Sequence, residues 1–383
     1  MLDSLKRGII QLASRKIYIT MMLIVPIAFS LFFIDLMNEG LPLNVPVGMV
    51  DMDHSSMSRR IARSLNAMEL IDITDDVESY HKAMDKVRSG ELYGFFYIPS
   101  DFQEKALSGK TPTLTFYSNM SIFVPGSLSY KGFKTIAVTT AGKIVETTLV
   151  SAGADYSTAG AMIQSFNQDI HPLGNPWTNY SIYLCQSFIP AMIALLVMLI
   201  TSFSICQEIK NDTAPEWLAT AKGSMAVALA GKLLPQTFIF SAVGVFIQSI
   251  LFGYLHFPLN NHPLHMVFAM ILLVMSSQAF AVLVTELLPN ARLSMSIVSL
   301  TGILSFSIAG FSFPVDKMYG GVAIFSYILP IRNYFLIYID QALNGIPIYY
   351  SRVYYIVMLV MLLLPVVGLK RLKKHCLNPV YVK

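Results

Sequence analysis

The sequence feature closest to a nucleotide site is Gly109-Lys110-Thr111. A P-loop has the pattern Gly-x-x-x-x-Gly-Lys-Ser/Thr, whose backbone N–H groups cradle phosphate oxygens. The first glycine of that pattern is missing, because Glu104 occupies its position. We therefore interpret residues 109–111 as a turn, and we expect no nucleotide site in this chain.

Two further groups of residues suggest metal chemistry without completing a site. Asp51 and Asp53 end a strand-like run, and we interpret them, with Ser55, as groups that begin the following helix. His262 and His265 lie three residues apart, a spacing that would hold Zn²⁺ only if further ligands came from elsewhere. The sequence contains no His-Glu-x-x-His, Gly-x-Ser-x-Gly or paired-cysteine motif. We predict no catalytic residue, no metal site and no cofactor bound by this chain.

The composition indicates an integral membrane protein. Apolar residues make up 54% of the 383 residues and charged residues 13%, against about 25% charged in an average soluble domain. A helix needs about 20 predominantly apolar residues to cross a bilayer. The apolar runs predict a polytopic α-helical membrane protein with six transmembrane helices, at residues 17–37, 182–205, 231–253, 266–288, 293–311 and 353–369.

Basic residues predict the orientation of these spans. They cluster within residues 6–16, before the first span, and within residues 370–374, after the last. Because an excess of Lys and Arg beside membrane spans marks the cytosolic side, both termini are predicted to be cytoplasmic. Residues 1–16 place Leu and Ile at helical spacing opposite the basic residues, which predicts an amphipathic helix on the cytosolic membrane surface.

Residues 38–180 regain charge and contain only short apolar runs, which predicts a domain outside the membrane. The parity of the spans places this domain on the extracytoplasmic side. Strand-like runs alternate with helical runs, as is typical of a small α/β module. Strands are predicted at 45–50, 70–74, 93–98 and 113–118, helices at 55–65, 77–89 and 101–107, and one or two long helices within 126–168.

A charged segment separates the second and third apolar runs, and we predict a cytosolic helix over residues 207–221. Placing a charged side chain in hydrocarbon costs about 2.5–3.5 kcal/mol, so the charged residues are expected to face water or a partner protein. Trp217, Leu218 and Ala221 lie on the opposite, apolar side of the helix. The charged residues are Glu208, Lys210, Asp212, Glu216 and Lys222.

This segment resembles a motif of the permease subunits of type-two ATP-binding-cassette exporters. In that family a short cytosolic helix with an acidic, Gly-Thr, Glu, Leu-Leu, Ala-Thr-Pro pattern follows the second span, and Gly-Lys-Leu opens the third. The matching positions are Thr213, Leu218, Ala219, Thr220, Gly231 and Lys232. The sequence departs from the pattern at three positions: Asp212 stands where Gly is usual, Pro215 lies near the usual Glu, and Ala221 stands where Pro is usual. Glu216 is the candidate to replace the displaced acid.

A second resemblance to the same family lies before the last span. Gly310, Phe311 and Pro314 resemble a Gly-Phe-x-x-Pro turn that precedes a re-entrant helical pair, and Leu329-Pro330 extends the similarity. Residues 314–350 are too polar and too interrupted for one clean span, which fits such a pair. The first span, the large external domain and the five-span remainder at 181–383 follow the order of the family across nearly the whole chain.

The resemblance implies a function, a location and a set of partners. The chain would be the permease subunit of an exporter that moves a drug, lipid or other amphiphile out of the cytoplasm of a bacterium, across the inner membrane. A cytosolic ATPase subunit would bind ATP and Mg²⁺, and a second identical or similar permease would complete the path. A periplasmic adaptor is compatible with the external domain, and nucleic acid is not an expected partner.

The resemblance also implies roles for particular residues. Polar residues inside the spans are candidates for a translocation path, although such residues more commonly make hydrogen bonds between helices. The implied ATPase-coupling residues are Glu208, Lys210, Thr213, Glu216, Trp217 and Leu218, the implied exit-gate residues are Gly310, Phe311, Pro314 and Pro330, and the path candidates are Gln186, Gln278, Ser299 and Thr301.

Two alternatives remain open on the sequence alone. An envelope scaffold or phage-receptor-like membrane protein can share one span, an external domain and five further spans without an ATPase partner. It would not need the charged helix at 207–221. A polytopic membrane enzyme is the other alternative, and the missing catalytic motifs argue against it.

Overall fold

The computed structural model describes residues 1–41, 43–108, 110–121, 123–151, 153, 155–158, 174–176 and 178–378. The chain divides into two compact units. Met1–Gly40 and His171–Lys383 form a helical unit, and Leu41–Ile170 form a second unit that contains the sheet. This division follows the sequence, because the long apolar runs stop where the second unit begins.

Among the described residues, six helices are long and apolar enough to cross a membrane, as predicted. Spans 2 and 4 form the centre of the helical unit, since 78% and 72% of their most apolar stretches are buried, against 22–33% in the others. The other four therefore expose more apolar surface. The spans are Lys16–Leu36 (span 1), Tyr180–Lys210 (span 2), Met225–Tyr254 (span 3), Leu264–Leu287 (span 4), Ala291–Ile308 (span 5) and Ile348–Val367 (span 6).

Spans 1 and 3 contain local departures from α-helical geometry. In span 1, a π-helical turn at Thr20–Ile24 lies between Lys16–Ile19 and Val25–Leu36. In span 3, Pro235 lies inside the helix, where it removes one backbone hydrogen bond because proline has no N–H to donate to the carbonyl four residues earlier. Span 3 also ends in a π-helical segment, Ser249–Tyr254.

The N-terminal helix, Leu2–Ser14, crosses span 3 at very short range. A Cβ atom added to Gly8 would lie 2.5 Å from the carbonyl oxygen of Gly231, and one added to Gly231 would lie 2.2 Å from the hydroxyl of Ser4. The Ser4 hydroxyl donates to the carbonyl of Ala228 at 3.5 Å. The amphipathic helix predicted at 1–16 is therefore present, and its small residues form a packing face against span 3.

The linking helix, Ala214–Thr220, is shorter than the predicted helix at 207–221. The helix of span 2 continues to Lys210, so its last charged turn belongs to the span and not to a separate segment. Span 3 begins at Met225, earlier than the predicted residue 231. Both differences arise because charged side chains near the ends of these spans find partners inside the chain, as described below.

A bent helical pair precedes span 6. Gly320–Tyr327 and Pro330–Leu343 meet at 77°, as expected for the re-entrant pair predicted at 314–350. Pro330 occupies the first turn of the second helix, where its missing N–H costs nothing, and Pro314 is an exposed residue before a short 3₁₀ turn. The predicted end of the segment is wrong by a few residues, because the span 6 helix already begins at Ile348.

The second unit is the α/β module that the sequence predicts. Its four-stranded sheet has the order β2-β1-β3-β4, with β1 parallel to β2 and β3 and β4 antiparallel to β3. Helices connect the strands and pack on the sheet. The strands are Val45–Asp51 (β1), Ile71–Asp76 (β2), Gly94–Ile98 (β3) and Thr115–Ser118 (β4), and the helices are Ser56–Asn66, Tyr80–Ser89, Phe102–Leu107 and Phe123–Ser151. The rest of the long helical region predicted at 126–168 lies largely outside the described residues.

Asp51 has the structural role that the sequence suggests. One of its oxygens accepts from the backbone N–H groups of Asp53 and His54, and the other accepts from the Ser58 hydroxyl at 2.6 Å. Ser55 caps the following helix by accepting from the Ser58 N–H at 3.0 Å. The carboxylate therefore shapes the turn at the end of β1. Gly109, from the P-loop-like sequence, lies outside the described residues.

The close crossing at Gly8 generates a stability prediction. The substitution Gly8→Ala should lower the apparent free energy of unfolding by about 1–3 kcal/mol, because the new methyl group meets backbone and not a movable side chain. Thermal unfolding of the purified full-length chain in detergent measures this. Gly253→Ala is the matched control, since a Cβ atom there has no neighbour within 4 Å. Equal melting temperatures for the two variants would contradict the crossing.

Candidate coupling site at the linking helix

A buried cluster of charges lies beside the linking helix. Glu208 is in the last turn of span 2, and its Oε1 accepts from the Nζ of Lys232 in span 3 at 2.6 Å. The Arg7 guanidinium, on the N-terminal helix, donates to Oε2 of the same carboxylate at 3.1 Å. The hydroxyl of Thr213, just before the linking helix, also donates a hydrogen bond to the Glu208 carboxylate. One carboxylate thus joins three helices and the linking segment.

The burial of this cluster requires a complete set of partners. The side chains of Glu208 and Lys232 are 0% and 3% exposed, and an unpaired buried ion costs several kcal/mol. The Lys232 ammonium also donates hydrogen bonds to Oε1 of Gln11 at 2.8 Å and to the backbone carbonyl of Ser204 at 3.2 Å. All three donors of the ammonium are therefore used, and the pair needs no water.

Trp217 attaches the linking helix to span 3. Its indole N–H donates to the carbonyl of Ala228 at 3.2 Å, and Lys232 Nζ lies 4.7 Å from the ring centroid, in a cation–π contact. The side chain is 1% exposed. Asp212 before the helix and Gly223 after it both have positive φ, +56° and +76°, so tight turns bring the short helix back against the spans.

An apolar cluster covers the other side of the linking helix and includes the C-terminal helix, Leu369–Leu377. Leu372 and Cys376 face inward, whereas Lys370, Arg371 and Lys374 are exposed. The basic tail is therefore an amphipathic helix that packs on the linking helix. The buried members of the cluster are Ile205, Ile209, Ala214, Trp217, Leu218, Ala221, Met225, Ala228, Leu229, Val282, Leu372 and Cys376.

The structure corrects the prediction that Glu208 faces water or a partner protein. Its carboxylate is buried because Lys232 and Arg7 neutralise it within the chain. Trp217 and Leu218 are buried as predicted for the apolar side of the helix. None of these three predicted coupling residues is accessible to a second protein, so a role in coupling would have to pass through their packing.

Lys210 and Glu216 are the exposed members of the predicted coupling set. The Glu216 side chain is 77% exposed, and its nearest basic partner is Arg7 at 4.0 Å. Thr213 is partly buried and bonded to Glu208. A partner protein at this surface would therefore meet Lys210 and Glu216 first.

Sequence reasoning missed two parts of the cluster. The sequence predicts Arg7 only as one of the basic residues of a helix on the membrane surface, and Lys232 only as a position of the family motif. A usable signal is present in the sequence: Glu208 and Lys232 each lie at the edge of an apolar run, and the runs are consecutive. An acid and a base in such positions meet when the two helices pack antiparallel, whereas the contribution of Arg7 needs the tertiary fold.

Three of the predicted gate residues, Gly310, Phe311 and Pro314, lie in a turn between span 5 and the bent pair, whereas Pro330 begins the second helix of that pair. Gly310 has a φ of +100°, which favours glycine, and a Cβ atom there would lie 3.0 Å from Arg332 Nη1. Phe311 packs edge-on against Phe335 with centroids 4.5 Å apart, and its carbonyl accepts from the Tyr183 hydroxyl of span 2. Gly310 and Phe311 are held by these contacts, whereas Pro314 is exposed. The role of the turn as an exit gate stays a prediction.

The four candidate path residues have different surroundings. Gln278 of span 4 accepts from the Thr237 hydroxyl of span 3 at 2.6 Å, which is a contact between helices. Ser299 donates to the carbonyl of Met295 in its own helix. The side-chain polar atoms of Gln186 lack hydrogen-bond partners among the described residues. The backbone carbonyl of Thr301 accepts from the Ser305 hydroxyl of the same helix at 2.7 Å. A role in a translocation path stays a prediction for all four.

These features define a multi-pass helical membrane protein in which a short helix between two spans is rigidly attached to them. The chain belongs to the ABC-2 family: a family model described as an ABC-2 family transporter protein matches residues 16–369. A search of curated proteins found no match. Members of this family are permease subunits of ATP-binding-cassette transporters that have no nucleotide site and work with an ATP-binding-cassette subunit. The chain therefore has the permease function of an ATP-binding-cassette transporter.

The buried ion pair generates a prediction on stability. Glu208→Gln should lower the apparent free energy of unfolding by about 3–5 kcal/mol, because it leaves the buried Lys232 ammonium without a counter-charge. Lys232→Met should lower it by less, because Arg7 still neutralises the Glu208 carboxylate. The double variant should lose less than the sum, since neither charge remains. Unfolding of the purified chain in detergent measures all three.

The matched control for the ion pair is exposed. Glu78 and Lys82 are paired in the α/β unit with both side chains largely exposed, so Glu78→Gln should leave the melting temperature unchanged. Strictly additive losses at Glu208 and Lys232 would show that the two side chains do not interact.

The docking of the C-terminal helix generates a second prediction. Burial, together with the nearby Glu208 carboxylate, raises the pKa of the Cys376 thiol to about 12, so little reactive thiolate exists at neutral pH. In a chain with Cys185→Ala and Cys206→Ala, a soluble maleimide should label Cys376 slowly. Leu372→Ala should speed labelling about tenfold or more, because burial of that leucine holds the helix in place.

The control for this labelling is on the same helix. Leu377 is 49% exposed, so Leu377→Ala should leave the labelling rate of Cys376 unchanged. Rapid labelling of the parent chain would mean that the C-terminal helix does not stay packed on the linking helix.

Proposed function

We propose that this permease is an exporter subunit, which moves a drug, lipid or other amphiphile out of the cytoplasm with energy from ATP hydrolysed by a partner subunit. The linking helix and both termini face the cytosol, and the α/β domain is extracytoplasmic. Basic residues within 6–16 and 370–374 support this orientation. The membrane is the inner membrane of a bacterium.

The observation that carries the proposal is the rigid attachment of the linking helix. A force on this helix reaches span 3 through Trp217 and Lys232, and span 2 through Glu208. The N-terminal helix shares the same carboxylate through Arg7. An ATPase that contacts the exposed face of the linking helix would therefore move spans 2 and 3 and the N-terminal helix together.

The proposed mechanism uses this attachment as the link between ATP and transport. Closure of two ATPase subunits on ATP and Mg²⁺ displaces the linking helix, tilts spans 2 and 3, and turns a path between two permeases from inward to outward access. The two permeases are identical or similar chains, and the α/β domain offers a surface for a periplasmic adaptor. The change requires contacts with the ATPase that differ between the two states.

Lys210 and Glu216 are the residues proposed to touch the ATPase, because they are the exposed members of the coupling set. Glu208, Trp217 and Leu218 transmit the movement through packing and the ion pair. In this proposal, the bent helical pair that follows Gly310 lies at the outward end of the path, opposite the linking helix. Family membership favours this function over a scaffold without an ATPase.

The proposed contact predicts a loss of partner binding on charge reversal. Combining Lys210→Glu with Glu216→Lys should reduce recovery of a P-loop ATPase about tenfold, which corresponds to a loss of about 1.4 kcal/mol in affinity. The test is a mild-detergent pull-down of the tagged full-length chain from its native membrane. Mass spectrometry identifies the ATPase, and an activity assay follows its hydrolysis of ATP.

The control for the pull-down carries a charge reversal elsewhere. Glu104 is exposed in the α/β domain, so Glu104→Lys should leave ATPase recovery unchanged. Recovery of the wild-type chain alone, or only with envelope proteins, would reject the exporter assignment. Equal ATPase recovery from the charge-reversed and control variants would place the contact elsewhere on the chain.

A further inference from the structure

A groove with a volume of about 540 Å³ lies between the N-terminal helix, span 1 and span 3. This volume is within the range of about 300–1,000 Å³ that is usual for small-molecule sites. On each helix the lining residues recur three or four positions apart, as on one face of a helix. The groove therefore runs along these faces. The lining residues are Leu5, Ile9, Leu12, Ala13, Tyr18, Ile19, Met22, Leu23, Leu234, Pro235, Phe238 and Ile239.

The chemistry of the lining selects a hydrocarbon occupant. Eleven of the 12 lining side chains are purely apolar, and the exception is Tyr18. The Tyr18 side chain is 1% exposed, and its hydroxyl is itself buried, without a hydrogen-bond partner among the described residues. The groove therefore offers almost no accessible polar atom. A polar substrate would lose its hydrogen bonds to water there and gain none.

The groove is open at the side. Phe238 is 76% exposed and Ile9 is 52% exposed, so both side chains are available to a ligand as well as to the surrounding bilayer. The N-terminal helix is fixed as one wall by the close crossing of Gly8 and Gly231 and by the ion pair of Arg7 with Glu208. A fixed wall keeps the groove from closing by collapse of the helix.

Basic residues lie beside the groove, two of them where the N-terminal helix meets span 1 and one in the first half of the N-terminal helix. Arg15 and Lys16 lie between the lining residues Ala13 and Tyr18. Lys6 lies three positions before the lining residue Ile9 and seven before the lining residue Ala13. At this helical spacing, Lys6 lies on the side of the N-terminal helix that adjoins the groove. Arg15 donates to Gln207 at 3.2 Å. Lys6 and Lys16 are exposed, with no ion-pair partner in the part of the chain that the structure describes.

We propose that this groove binds one acyl chain of an anionic phospholipid from the adjacent leaflet, whose headgroup lies at Lys6 and Lys16. The proposal uses the orientation given under the proposed function, in which this end of the spans faces the cytosol. Apolar walls beside two unpaired ammonium groups match a molecule with a long hydrocarbon chain and a negative headgroup. The lipid is a resident part of the permease that fills the space behind the N-terminal helix.

The binding experiment uses the full-length chain reconstituted in vesicles of equal parts phosphatidylglycerol and phosphatidylcholine, then extracted in mild detergent and washed. Native mass spectrometry and phosphate analysis measure the retained lipid. The wild-type chain should retain phosphatidylglycerol in preference to phosphatidylcholine. Ala13→Phe, which places a ring in the groove, should reduce retention about tenfold.

A matched variant separates a filled groove from a general effect of added bulk. Ala226 is an exposed residue in the first turn of span 3 and does not line the groove. The variant Ala226→Phe should therefore retain lipid as the wild type does. Equal retention by the Ala13→Phe and wild-type chains would overturn the acyl-chain site.

The headgroup contact has its own test. Replacing Lys6→Gln and Lys16→Gln together should abolish the preference for phosphatidylglycerol and leave the melting temperature unchanged, because both side chains are exposed. An unchanged preference would overturn the contact with Lys6 and Lys16.

A last measurement distinguishes a resident lipid from a transported one. In the assembled exporter, the retained lipid should stay bound while ATP is hydrolysed. Its release during turnover would overturn the proposal of a resident lipid and make the groove part of the transport path. The retention measurements need neither transport nor an ATPase, so their failure is distinguishable from a failure of the exporter assignment, which the pull-down tests.

Discussion

The interaction on which the helical unit depends is the buried contact between Glu208 and Lys232. Two opposite charges, 2.6 Å apart and almost fully shielded from water, are stable only while every other donor and acceptor around them is satisfied. That condition requires Arg7, Thr213 and Gln11 in addition to the pair itself. The positions of the N-terminal helix, of the linking segment and of span 3 are therefore coupled by one electrostatic requirement.

This coupling explains why such a short linking helix can transmit force. A helix of seven residues is marginal in isolation, so its geometry depends on what it packs against. Trp217 inserts beneath Lys232, and the C-terminal helix covers the other side with Leu372 and Cys376. The N-terminal helix and the C-terminal helix therefore both contact the helix proposed to bind the ATPase. The exposed charges on its outer face are left for a partner.

The same construction produces the groove beside the N-terminal helix. Small residues at Gly8 and Gly231 bring the helix close to span 3 at one point. Away from that crossing, an apolar space remains between the helix, the π-helical turn of span 1 and the part of span 3 around Pro235. A surface of this kind, next to basic residues, suits a lipid better than a polar substrate. The attachment of the helix and the opening behind it are thus two results of one packing arrangement.

The sequence by itself determined the class of the protein, the six spans and the α/β module, because hydrophobic run length and strand–helix alternation are local properties. It also identified the charged segment at residues 207–221 and placed Trp217 and Leu218 on its apolar side. Only the tertiary structure decided that Glu208 is buried, that Arg7 reaches it from a distance of 201 positions in the chain, and that the basic tail packs on the linking helix. These contacts join segments far apart in sequence, and no local pattern specifies which buried charge will find which partner, since the free energy of the pair depends on the complete set of neighbours that the fold assembles.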